Sequence, residues 1–92
     1  MVEEVDNIVF VGNKSFEKYV NAVEFQLGKF DKITIKARGR FTSRAIDISQ
    51  VIKNKHNVEV IDIKIDNEDY DDKEKKKIVK VSTIEIVVER KR

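Results

Sequence analysis

The sequence predicts a single α+β domain with the element order βαβαββ. Three observations carry this. Short runs of β-branched residues recur along the chain, two stretches with apolar residues at helical spacing fall between them, and 92 residues are too few to divide into two cores.

Each element has its own signal. Asn7 to Val11 (Asn-Ile-Val-Phe-Val) is a nearly continuous apolar run ahead of Gly12, the pattern of a buried strand with polar Asn7 at its edge. From Ser15 onward, Phe16, Tyr19, Val20, Val23 and Leu27 fall at helical spacing, and Gly28 is placed to end that helix. Ile33 and Ile35 alternate with Thr34 and Lys36 in a second strand. Ala45, Ile48, Val51 and Ile52 form one face of a second helix, with Thr42 or Ser43 as its cap and fraying expected around Asn54 to Asn57. Val58, Val60, Ile61, Ile63 and Ile65 make a third strand, and Ile78 to Val88 a fourth. The charged segment Asp66 to Lys77 between them contains too few apolar residues to pack and is expected to be a mobile hairpin tip.

Composition narrows the function classes. With 40% hydrophobic and 39% charged residues, the chain can fold but must expose a densely ionic surface, so self-association would enlarge a modest core. The absence of cysteine removes disulfides and thiolate metal sites and fits a reducing cytoplasm. No early apolar run is long enough for a signal peptide or a membrane span, and Met1 to Asp6 is acidic, so a soluble intracellular protein with no membrane partner is expected.

The net charge of +2 hides a segregation of charge along the chain. Residues 1–31 hold three basic and six acidic side chains, residues 32–55 seven and one, and residues 56–92 nine and ten. The positive field is therefore local, and a local positive field points to a polyanionic partner. It centres on Lys36-Ala37-Arg38-Gly39-Arg40, followed by Arg44, where a strand runs into a helix. A helix start favours anions, Gly39 can take positive φ and admits close approach, and arginine forks match phosphate oxygens two at a time. The bland alternative is a solvated strand-to-helix turn with ordinary surface arginines. Four cations in nine residues around a glycine weigh against it.

The element order has a consequence for this cluster. If both helices are crossovers between parallel strands, the two strand-to-helix turns emerge at one sheet edge, so Gly12-Asn13-Lys14-Ser15 lies beside Arg38-Gly39-Arg40. Should the third strand also run parallel, the hairpin tip near Tyr70 projects from that edge too. Lys73, Lys75, Lys76 and Lys77 are then further candidate backbone contacts, opposed by the acids that precede them.

Other chemistry finds little support. The carboxylates of residues 66–77 lack the central glycine and terminal glutamate of an EF-hand, so no metal site is expected. His56 reads as a helix-end or surface residue, and Ser43, Ser49 and Ser82 have no recognisable partner spacing with it. Glu85 and Glu89 lie in a strand pattern. No catalytic set can be assembled, and neither a cofactor nor a small-molecule substrate is implied.

At Ile35-Lys36-Ala37-Arg38-Gly39-Arg40-Phe41-Thr42-Ser43-Arg44-Ala45-Ile46-Asp47, and again at Val81-Ser82-Thr83-Ile84-Glu85-Ile86, the chain resembles the Alba family of small archaeal nucleic-acid-binding chromatin proteins. The resemblance extends over nearly the whole length. It implies a two-layer βαβαββ fold with a mixed four-stranded sheet and both helices on one face. It further implies a homodimer that binds double-stranded DNA without catalysis, RNA in many members, and a cytoplasmic, chromosome-associated location. By analogy Lys14, Lys36, Arg38, Arg40 and Arg44 face the nucleic-acid backbone, and the last hairpin reaches along a minor groove. Three positions depart from the family pattern. Asn13 replaces the first of two lysines, removing a target of acetylation. His56 stands where many members carry a phenylalanine that helps dimers associate side by side, and the hairpin tip is acidic. The remaining readings are an RNA-binding protein acting on structured RNA, and a protein–protein scaffold whose arginines form interface salt bridges.

Overall fold

Alternation along Lys32–Arg38 sets the architecture. Ile33, Ile35 and Ala37 are buried while Lys32 and Arg38 are exposed, so this strand offers one apolar face to a covering layer. In the computed structural model, which describes residues 2–91, that layer is a pair of helices. The elements are β1 (Glu4–Val5), β2 (Ile8–Phe10), α1 (Phe16–Leu27), β3 (Lys32–Arg38), a 3₁₀ turn at Gly39–Phe41, α2 (Thr42–Lys55), β4 (Val58–Asp72) and β5 (Lys77–Arg90).

The sheet order is β1-β2-β3-β5-β4. Strands β2 and β3 are parallel, with Val9 opposite Ile35, and β5 runs antiparallel to both β3 and β4. Strand β4 therefore points the same way as β2 and β3. The mixed sheet has five strands instead of the expected four, because Glu4–Val5 pairs back on β2. Asn7 makes that reversal by taking a left-handed φ of 52°, a conformation asparagine tolerates better than most residues.

Helix α1 and helix α2 pack on the face that carries Val9, Ile33, Ile35, Ile86 and Val88. Val23, Ile48 and Ile52 complete this core and are fully enclosed. Each such side chain contributes on the order of 1.5–3 kcal/mol relative to exposure. The buried polar groups are satisfied. Ser49 Oγ donates to the Ile46 carbonyl at 2.6 Å, and the Gln26 side chain accepts from the Asn7 N–H at 3.3 Å while donating to Glu4. Among the described residues no buried side-chain nitrogen or oxygen lacks a partner.

Helix ends differ in detail from the expectation. Neither Thr42 nor Ser43 caps α2; Phe41 occupies the cap position and makes no side-chain cap bond. The 3₁₀ turn feeds the helix directly, with the Thr42 N–H bonded to the Gly39 carbonyl, so backbone supplies what a hydroxyl would have supplied. Gly28 does follow the last residue of α1, but with a right-handed φ of −70°.

The two last strands are longer than the apolar pattern indicates. Pairing continues from Asn67↔Ser82 to Asp72↔Lys77, which confines the turn to Lys73–Lys76 and places residues 66–72 in a strand instead of a loop. A two-stranded ladder is held by backbone hydrogen bonds that any non-proline residue can make, so charged side chains do not prevent it. Because Arg38 pairs with Thr83, and Thr83 with Asp66, the six pairs beyond that point project past the end of β3 as an arm. At ~3.3 Å per residue the arm is about 20 Å long.

A bulge at Val60/Asp62 shifts the register of β4. Before it, Val60 lies opposite the buried Val88; after it, Ile63 and Ile65 lie opposite Ile86 and Ile84. Val58, Val60, Ile63 and Ile65 therefore share the helix side, with Ile61 taken up by the bulge, although α2 does not cover Ile63 and Ile65, which are 58% and 75% exposed.

Candidate nucleic-acid interface

The common direction of β2, β3 and β4 brings three features to one end of the sheet: the Gly12–Ser15 turn, the Arg38–Phe41 turn and the arm. The first turn is held by side chains from both helices. The Tyr19 hydroxyl, on a residue only 2% exposed, accepts from the Gly12 N–H at 2.9 Å and the Lys14 N–H at 3.0 Å. From the other side, Arg44 Nη1 donates to the Gly12 carbonyl at 3.0 Å and the Lys14 carbonyl at 2.5 Å. Asn13 and the Lys14 side chain are left facing solvent. The sequence offered one signal for this arrangement, since a buried tyrosine needs a partner for its hydroxyl.

The second turn depends on Gly39, whose φ is +62°. Arg38 and Arg40 flank it and are exposed. The Arg40 guanidinium lies 5.0 Å from the centre of the Phe41 ring, and Phe41 itself packs partly against the core. Phe41 is thus a packing residue that also supports a cation. Among the described residues no carboxylate forms an ion pair with Lys14, Arg38 or Arg40. A groove of about 720 Å³ runs between this turn and the root of the arm, lined in part by Phe10, Lys36, Arg38, Arg40 and Glu68.

Two other cations of the sequence cluster are differently engaged. Lys36 points from the open face of β3 to Glu85 at 3.2 Å and lies 6.0 Å from the Phe10 ring centre. Glu85 also faces Lys64 at 3.9 Å, so it answers charge from both neighbouring strands. Arg44 is committed through Nη1 to the first turn. Lys75 and Lys76 lie in the turn at the far end of the arm and Lys77 begins β5, opposite Asp72. Asp72 organises that turn by accepting from the Glu74 and Lys75 N–H groups at 3.1 and 3.2 Å. Six ladder pairs separate these lysines from the rim.

His56 follows α2 directly and is half-buried. Its Nε2 is 2.7 Å from Glu24 Oε2 on α1, and Lys55 Nζ lies 3.4 Å from the same oxygen. The hydrogen bond from His56, aided by Lys55, holds the Glu24 carboxyl below its ordinary value of 4.5 against an opposing effect of burial. This cluster ties the two helices together. Among the described residues no group of three or more histidine, cysteine, aspartate or glutamate side chains is placed to hold a metal ion, and no helix is long and apolar enough to cross a membrane.

Fold and rim together define a class: two-layer α+β proteins that present two crossover turns, three exposed cations and a β-arm along one edge. The Alba family model matches residues 7–67. The chain is 42% identical over 90 residues to the DNA/RNA-binding protein Alba of Methanocella arvoryzae, covering 95% of this chain and 93% of that one. It is 41% identical over 90 residues to DNA/RNA-binding protein Alba 1 of Archaeoglobus fulgidus, covering 94% and 98%. Alba from Thermoplasma volcanium superposes with a TM-score of 0.83 at 36% identity, over 91% of this chain and 100% of the other. The chain belongs to the Alba family.

Proposed function

We propose that this chain is a non-enzymatic architectural protein that binds double-stranded DNA as a homodimer and contributes to chromosome organisation. The observation that carries this reading is the placement of Lys14, Arg38 and Arg40, exposed and without carboxylate partners among the described residues, on two turns of one sheet edge. Phosphate contacts from such a rim are independent of sequence, which suits a coating or bridging role. The names of its relatives, which are DNA/RNA-binding proteins, agree with it.

Dimerisation is supported by the edge of the sheet. Among the described residues strand β4 has no neighbour on its outer side, and it exposes Ile61, Ile63 and Ile65. An apolar edge of this kind invites a second copy. Two subunits then present about six phosphate contacts, for which the slope of log affinity against log salt is roughly −5.

Salt titration of affinity for matched DNA and RNA duplexes tests the proposal. Wild-type protein should follow that line, and Arg40→Ala should weaken binding to unrelated duplexes by similar factors and flatten the slope by about two units, one for each subunit of the dimer. Affinity indifferent to salt rules the mechanism out. A preference of roughly tenfold or more for structured RNA, about 1.4 kcal/mol, would instead make RNA the primary ligand of the same rim.

A further inference from the structure

We infer that Tyr19 and Arg44 are positioning residues that act as a two-sided clamp on the Gly12–Lys14 turn, and that Arg44 serves binding through that turn more than through phosphate of its own. The inference rests on the rim reading above.

The geometry is reciprocal. Both N–H groups of Gly12 and Lys14 converge on one hydroxyl, and both carbonyls of the same two residues converge on one guanidinium nitrogen. Nη1 carries two hydrogens, so its donor capacity is filled by these carbonyls. The turn's central residue, Asn13, is left as the exposed apex, with Lys14 beside it. A three-residue turn with no regular secondary structure would otherwise sample many conformations, and each must be lost when phosphate binds. The clamp removes that loss beforehand.

The clamp also joins the two halves of the rim. Arg44 lies near the start of α2, just after the Gly39–Phe41 turn, yet it grips residues 30 and 32 positions earlier. Arg44 thus adds a side-chain tie between the two turns to the backbone pairing of β2 with β3 at their roots. Its guanidinium also places positive charge beneath the Lys14 carbonyl, which supports an anion at the apex without contacting it.

Tyr19→Phe separates clamp from contact, because this buried hydroxyl cannot reach nucleic acid and its loss changes no charge. Amide hydrogen exchange in the free protein should show Gly12 protected in wild type and released in both Tyr19→Phe and Arg44→Ala. Duplex DNA affinity should fall roughly three- to tenfold in each, the scale of one or two net hydrogen bonds. The double variant should lose far less than the product of the two, since either change alone frees the same turn, whereas each should combine multiplicatively with Arg40→Ala. If Tyr19→Phe binds within twofold of wild type while Arg44→Ala lowers the salt slope by about two units, one for each subunit, Arg44 is an ordinary phosphate ligand and the inference fails. If Arg40→Ala has no effect on binding, the rim reading fails instead, and hydrogen exchange at Gly12 still decides whether the clamp exists.

Discussion

Gly39→Ala isolates the backbone demand of the second turn. A Cβ built on Gly39 would meet only Val81 Cγ1, at 3.8 Å, which is ordinary van der Waals contact, so packing raises no objection to alanine. The objection is the φ of +62°. Left-handed backbone costs an alanine about 1–2 kcal/mol, and its smaller unfolded-state entropy returns about 0.4–1 kcal/mol of that. A net loss near 1 kcal/mol corresponds to a fall in Tm of roughly 4–8 °C for a domain of this size. Thermal unfolding followed by circular dichroism, at one fixed protein concentration, measures it directly. Asparagine tolerates this region better and should recover part of the loss, as Asn7 does at a φ of 52°. An alanine variant as stable as wild type, or an asparagine variant no better than alanine, would show that the turn does not need its left-handed residue. DNA affinity should fall with stability, because Arg38 and Arg40 are aimed by the same peptide units.

If β4 forms the seam of the proposed homodimer, the double substitution Ile63→Lys with Ile65→Lys should leave the fold nearly unperturbed, since both side chains are already largely exposed, and should halve the mass in analytical ultracentrifugation; a wild-type monomer, or a variant with unchanged dimer mass, would overturn that role for β4. Glu24 gives a pH signature whose sign follows from its lowered pKa. Its ionised form is the one favoured by folding, so its contribution is complete above its ordinary value of 4.5 and is lost as pH falls through the lower folded value. Urea unfolding should therefore show wild type more stable than Glu24→Gln near neutrality, with the gap closing on acidification below 4.5, and an equal gap at pH 3 and pH 7 would refute the assignment.

Much of this could be read from the residues. Period-two alternation at Ile33 and Ile35 and helical spacing from Phe16 to Leu27 gave the main elements, because burial on one face leaves a periodic trace. Strand β1 left none, being two residues long and paired on one side only. The arm was hidden for a different reason: its ladder is built from backbone groups, while its side chains from Asp66 to Asp72 read as loop. Charge counting located the cationic rim but could not show which cations are free. Lys36 and Glu85, Arg44 and Gly12, and His56 and Glu24 meet only after the chain has folded, across separations of 32 to 49 residues. Spacing along a sequence carries no information about such pairs.

The single supernumerary residue in β4 governs what this molecule shows to its surroundings. Without it, strict alternation from Val58 and Val60 would turn Asp62 and Lys64 toward the helices and send Ile63 and Ile65 to the reverse side of the sheet. One added amino acid thus decides whether the outermost strand meets its neighbours with hydrocarbon or with charge. Deleting that residue would exchange which side chains the outermost strand exposes while the interior beneath the helices stays as it is.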